Sequence, residues 1–157
     1  MTSLNQIKLD VVHQENRQQY LEYLLLADES EVAINKYINE GEMFSIHYEN
    51  KMAGVVIFNY HSQLIVELKN IALAPNFRGK GLGKLVITKA CELYKRKGNS
   101  KVIVGTANSS IGNLAFYQKV GFRMTEIKKD FFRDYPEPIY EDGIRALDMV
   151  MFEKYLT

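Results

Sequence analysis

Tryptophan is absent from this 157-residue chain, cysteine occurs once and proline three times. One thiol, Cys91, excludes an intrachain disulfide and a CxxC metal site. It falls in a helical pattern, where a small buried residue is its expected role. Long apolar runs are also missing. None spans a bilayer, and the opening MTSLNQIKLDVVHQ lacks the apolar stretch of a signal peptide. Neither charge sign dominates. The formal net charge is +1, which gives no global argument for nucleic acid or membrane, so any anion site must be local. His13, His47 and His61 show no metal-ligand spacing, and no metal is expected. No repeat, linker or low-complexity segment interrupts the chain. The expectation is one cytoplasmic domain over residues 1–157 with one sizeable core.

Periodicity gives the order of elements. Residues 7–12 alternate as a strand. Residues 16–27 place Tyr20, Leu21, Leu24 and Leu25 on one helical face. Ser30 caps a second helix that Gly41 ends. Residues 42–48 and 51–60 read as strands joined by a tight turn at Glu49-Asn50, and 64–73 as a third. From Leu82 the period becomes helical, and Lys95-Arg96-Lys97-Gly98 ends that helix. Residues 101–106 form a strand and 109–119 a helix closed by Gly121. Two more strands follow near 123–132 and 146–153, with Pro136 and Pro138 between them. This order predicts an α+β (mixed α/β) fold with a largely antiparallel sheet.

One stretch carries most of the chemistry: "IALAPNFRGKGLGKLVITKA", residues 71–90. Gly79, Gly81 and Gly83 alternate with Arg78, Lys80 and Lys84 just before the helix. A P-loop needs four residues between its first Gly and the Gly-Lys, then Ser or Thr. Here three residues intervene and Leu85 follows Lys84. A dinucleotide fingerprint needs a further Gly at position 84, which is Lys. Both are disfavoured. What remains is a helix start with free N–H groups, a favourable dipole, glycines that let a ligand approach, and cations beside them. A pyrophosphate suits that seat.

"LAPNFRGKGLGKLV" resembles the central motif of the GNAT superfamily, the GCN5-related N-acetyltransferases. "NLAFYQKVGF", residues 113–122, resembles its second motif at the expected separation. The tail "DFFRDYPEPIYEDGIRALDMV" is similar to small bacterial members, some labelled indoleacetic acid (IAA) acetyltransferases. The resemblance implies the GNAT fold across the whole chain, with about seven strands and helices on both faces. It implies acetyl-CoA as co-substrate, with the pyrophosphate on the amides of Arg78, Gly79, Lys80, Gly81, Leu82, Gly83 and Lys84. The pantetheine would run between two splayed strands, bonding to backbone at Ile71, Ala72 and Leu73. Relatives often use an Asn at the start of the following helix. Ser110 stands at that place here, so Asn108 or Asn113 is expected to share the contact, although N-capping accounts for Asn108 nearly as well.

Acetyl transfer to an amine needs a deprotonated nucleophile, an oxyanion donor and a proton for the leaving thiolate. The resemblance makes Tyr117 the acid, and a phenol with a pKa near 10 is protonated at neutral pH. Packing alone would also explain an aromatic there. Glu67 is the candidate base, on a strand whose simple alternation puts Glu67, Lys69, Ile71 and Leu73 on one face. A surface ion pair with Lys69 is the plainer alternative. The expected acceptor is a primary amine of a small molecule or protein. Asp28, Glu29, Phe132, Tyr135 and Tyr140 are its candidate contacts, since carboxylates with aromatics suit a cation and disfavour an acid such as indoleacetate. A non-catalytic CoA-binding regulator on the same fold is the rival reading. Homodimers occur among relatives, but no residue here fixes an interface.

Overall fold

The computed structural model describes residues 3–157; Met1 and Thr2, the first residues of the expected domain, lie outside the described residues. The elements are β1 (Ile7–Val12), α1 (Leu21–Ala27), α2 (Glu31–Tyr37), β2 (Glu42–Tyr48), β3 (Lys51–Tyr60), β4 (Ile65–Leu73), α3 (Leu82–Arg96), β5 (Lys101–Ala107), α4 (Ile111–Lys119), β6 (Arg123–Lys128), β7 (Tyr140–Glu141), β8 (Ile144–Arg145) and β9 (Met149–Tyr155). Seven strands form one sheet in the order β1-β2-β3-β4-β5-β9-β6, and β7-β8 form a separate hairpin.

Local chemistry explains most boundaries. Glu49 and Asn50 both adopt positive φ, so the β2–β3 turn is a tight hairpin whose twist matches the strands. Ser30 accepts the Ala33 N–H at 3.1 Å and starts α2. The expected first helix divides: residues Gln14–Tyr20 wind as a 3-10 segment before α1 begins. Arg17 sits in that segment with 4% exposure and donates to the carbonyls of Val12, Ile38, Glu40 and Gly41. Those long-range bonds fix the path of the chain there. The strand expected over 123–132 stops at Lys128. Asp142 and Gly143 both have positive φ and turn the additional β7–β8 hairpin. Asp-Gly is a pair that readily takes the positive φ such a turn needs.

Side chains pack on both faces of the sheet. One core joins Val66, Leu68 and Phe152 to Leu82, Val86 and Tyr94 of α3 and Tyr117 of α4. The other joins Val55, Ile57 and Ala72 to Leu24 of α1 and Ile34 and Tyr37 of α2. The predicted mixed, largely antiparallel sheet with helices on both faces is therefore the observed one.

Two irregularities shape the centre. β4 and β5 are the sheet's parallel neighbours, and their pairing ends at Leu68↔Val104. Beyond it the strands diverge, leaving Asn70–Leu73 and Gly105–Ala107 without each other. The second is a β-bulge. Ile57 pairs with Asn70 and Phe58 with Leu68, so Lys69 is an extra residue on β4. It resets the side-chain alternation. Leu68 and Ile71 belong with the α3/α4 core, whereas Ala72 joins the α1/α2 core and Asn70 bonds to Leu24 and Tyr37. Simple alternation from Glu67 to Leu73 is thus wrong: Glu67 shares its face with Asn70 and Ala72, opposite Ile71 and Leu73.

Candidate active site

The divergence of β4 and β5 opens a cleft of about 1340 Å³ that runs from the start of α3, past α4, to α1, α2 and the segment before β7. At one end lies the glycine loop. Pro75 starts a 3-10 turn and its carbonyl accepts the Arg78 N–H. Gly79 and Gly81 both take φ of +76°, a left-handed conformation that strains other residues. Gly81 then caps α3, and the first intrahelical bond is Leu85 N–H to Gly81 O. The N–H groups of Leu82, Gly83 and Lys84 consequently have no acceptor within the helix. A Cβ built on Gly79 meets nothing within 4 Å, so an anion has room there. Gly83 does something different. Its missing Cβ would lie 3.1 Å from Phe116 Cζ, so this glycine lets α4 pack close to α3.

The structure refines the expected seat. The Arg78 amide is already used by Pro75, and its guanidinium Nε donates to the Leu73 carbonyl at 3.0 Å. Lys80 lies over the Phe77 ring at 5.7 Å, and Leu82 is buried in the core. Backbone is what these two residues offer a phosphate. Arg78 and Lys84 line the cleft and add positive charge.

Along β4, the Ala74 N–H reaches the Ala53 carbonyl. Alternation then turns the backbone groups of Ala72 toward β3 and those of Ile71 and Leu73 toward the open split. Ile71 presents its backbone to a ligand and Leu73 its N–H, the Leu73 carbonyl being taken by Arg78 Nε; Ala72 presents neither. Tyr117 reaches the split from α4. It is 5% exposed, and its ring packs 5.6 Å from Phe122 and 5.8 Å from Phe152. Its hydroxyl has no hydrogen-bond partner among the described residues, and burial pushes its pKa well above that of a free phenol. Glu67 lines the cleft on the opposite face of the sheet, half-buried, with Lys69 Nζ at 3.8 Å.

Other candidates separate. Asn113 lines the cleft and its amide reaches Thr106 Oγ1 at 3.5 Å. Asn108 does not line it. Its Oδ1 accepts the N–H groups of Leu147 and Asp148, and its Nδ2 donates to the Arg145 carbonyl. It clamps the chain between β8 and β9, and the expectation of a cofactor contact is corrected on that ground. Ser110 lines the cleft, but its hydroxyl donates to the Glu141 carboxylate at 2.7 Å. Ser109 donates to the same carboxylate at 3.2 Å. Asp28, Glu29, Phe132 and Tyr135 line the far end of the cleft. Tyr140 does not; it stands on β7, 62% exposed.

Tyr37 and Asn70 are among the polar lining residues that the sequence did not single out, whereas Glu141 falls in the acidic and aromatic segment 131–143 where acceptor contacts were expected. Tyr37 donates to Asp28 Oδ2 at 3.1 Å and accepts from Asn70 Nδ2 at 3.0 Å. The signal for Asn70 was an amide within the apolar run ELKNIAL.

With that geometry in view, relatives become informative. Residues 9–122 match the model of the acetyltransferase (GNAT) family. The chain belongs to that family. An uncharacterized N-acetyltransferase of Bacillus subtilis, YvbK, is 36% identical over 149 residues, covering 94% of this chain and 96% of that protein. A GNAT family acetyltransferase from Elizabethkingia anophelis, solved with acetyl-CoA bound, is 36% identical with a TM-score of 0.88, covering 96% of this chain and 99% of the other. An IAA acetyltransferase from Bacillus cereus is also 36% identical, with a TM-score of 0.85 and coverage of 95% and 99%. This GNAT chain is accordingly an N-acetyltransferase, and its glycine loop, backbone-lined split and adjacent cations fit acetyl-CoA as its co-substrate.

Proposed function

We propose that this enzyme acetylates a primary amine of a small molecule or protein by direct attack, with Tyr117 as general acid and Glu67 as general base. The observation that carries the reading is the split itself. It is where the two faces of the sheet open into one cleft. The donor seat and Tyr117 lie with α3 and α4, and Glu67 lies with α1 and α2. Acetyl-CoA supplies an activated thioester carbonyl. The amides of Gly79 to Lys84 and the charges of Arg78 and Lys84 grip its pyrophosphate. Backbone of Ile71 and Leu73 orients its pantetheine. Glu67, directly or through water, takes the proton that the amine sheds as the N–C bond forms. Tyr117 gives a proton to the sulfur as the C–S bond breaks. An unbonded hydroxyl suits that role, because no other acceptor competes for its proton.

The test is acetyl-CoA consumption with a panel of amines, for wild type and Glu67→Gln. Expected are turnover by wild type and a loss of about 10²-fold or more in kcat for the variant at neutral pH, partly restored at alkaline pH where the amine deprotonates unaided. Tight CoA binding without turnover of any amine would replace this reading with a non-catalytic CoA-binding protein.

A further inference from the structure

One wall of the cleft is not part of the main sheet. Phe131, Phe132, Tyr135 and Ile139 line it from the strap between β6 and β7. Their rings stack edge to face, Phe131 on Phe132 at 5.0 Å and Phe132 on Tyr135 at 5.1 Å. The strap reaches the corner of α1 and α2: burial, and then the nearby Asp28 charge, raise the pKa of the Tyr135 phenol. At its other end it runs into the β7–β8 hairpin, which is a sheet separate from the seven strands. Ladder bonds therefore do not fix that hairpin against the body of the protein, and side chains have to.

Asn108 holds β8 through the Arg145 carbonyl. Glu141 holds β7. Its carboxylate accepts the Ser110 hydroxyl at 2.7 and 2.9 Å and the Ser109 hydroxyl at 3.2 Å. Ser109 is fully buried, and bonds to an ionised acceptor are the stronger kind. Ser110 starts α4 without a side-chain cap of its own, and α4 has no acidic residue in its first turn. Glu141 brings that negative charge from 31 residues away, to the helix end where the dipole favours it. A hydroxyl has one proton, and Ser110 spends its own on Glu141. The same helix carries Asn113 and Tyr117 to the cleft. Glu141 thus joins the wall that faces the acceptor to the helix that faces the donor. Without the link, an amine would have to order the strap as it binds, and that cost falls on its affinity.

We propose that Glu141 is a positioning residue for the transfer: by bonding to Ser109 and Ser110 it holds the acceptor wall, with Phe132 and Tyr135, in register with α4. This rests on the acetyltransferase reading above. Two measurements test it on wild type, Glu141→Ala and Glu141→Gln. Amide hydrogen exchange reads the strap with no substrate present. In Glu141→Ala, residues 131–141 should exchange about tenfold faster or more, the value of a lost charge-assisted bond, while α3 is unchanged. Glu141→Gln should stay near wild type, because both serines reach Oε1, which an amide oxygen can replace. Initial rates then use the fastest acceptor among n-butylamine, benzylamine and lysine methyl ester. Glu141→Ala should raise KM for that amine about tenfold and move KM for acetyl-CoA less than about threefold, and Gln should restore the wild-type value. A merely structural role would lower kcat with the folded fraction and leave both KM values in place. That result, unchanged exchange in the strap, or a Gln variant as impaired as Ala overturns the proposal and leaves the enzyme reading standing. If Glu141→Ala fails to fold, Ser110→Ala removes the shorter bonds from the other side and the exchange of residues 131–141 decides. No amine acetylated, despite acetyl-CoA binding, would overturn both.

Discussion

Replacing Tyr117 with Phe separates chemistry from packing. The ring would keep its contacts with Phe122 and Phe152. The lost oxygen makes no hydrogen bond with the described residues, so no buried partner is orphaned. Stability should therefore change by less than about 1 kcal/mol. Catalysis should not survive so well. A positioned general acid contributes about 10²–10⁴-fold, or roughly 3–5.5 kcal/mol of barrier. Tyr117→Ala instead empties a site that is 5% exposed, and should cost about 3–5 kcal/mol of stability. For a chain of this size that lowers Tm by on the order of 10 °C. The measurements are release of free thiol, followed with a thiol-reactive chromophore, and calorimetric Tm. The pH profile gives an independent check. Burial raises the Tyr117 pKa, so the phenol stays protonated through and beyond its ordinary range. Wild-type kcat should show no descending limb from this group below about pH 10. Wild-type-like kcat in the Phe variant, within about threefold, would refute the acid role, whatever its Tm.

Two further outcomes are expected. Gly81→Ala forces a Cβ onto a residue at φ +76°, a strain of about 1–2 kcal/mol. Because the distortion falls on the helix start, KM for acetyl-CoA should rise about tenfold while KM for the amine moves little, as read from initial rates. Asn108→Ala removes three side-chain hydrogen bonds to residues 145–148. It should cost about 2–3 kcal/mol in chemical denaturation and leave KM for acetyl-CoA within about twofold. A selective rise in that KM would return Asn108 to the cofactor site.

How far a residue could be read from sequence depended on the range of its contacts. Gly79 and Gly81 were legible because their role is written in their own φ angles and in the helix that follows. The β2–β3 turn was legible for the same reason. Glu67 was noticed as a charge in an apolar strand, yet its face was misassigned, since the Lys69 bulge exists only in the register with β3. Asn108 and Ser110 looked interchangeable beside α4. Their difference comes from partners more than thirty residues away, Glu141 for one and the 145–148 segment for the other. The corner formed by Asp28, Tyr37 and Asn70 likewise draws on three separate elements.

By itself the sequence determined the order of elements, the anion seat at the start of α3 and, through two motifs, the family. These depend on short-range periodicity and backbone freedom, which a linear string records. Tertiary structure alone decided where β4 and β5 part, which face Glu67 occupies, and which polar side chains remain unspent in the cleft. Each of those is set by strand register or by which distant group claims a hydrogen bond first, and neither quantity exists until the chain has folded.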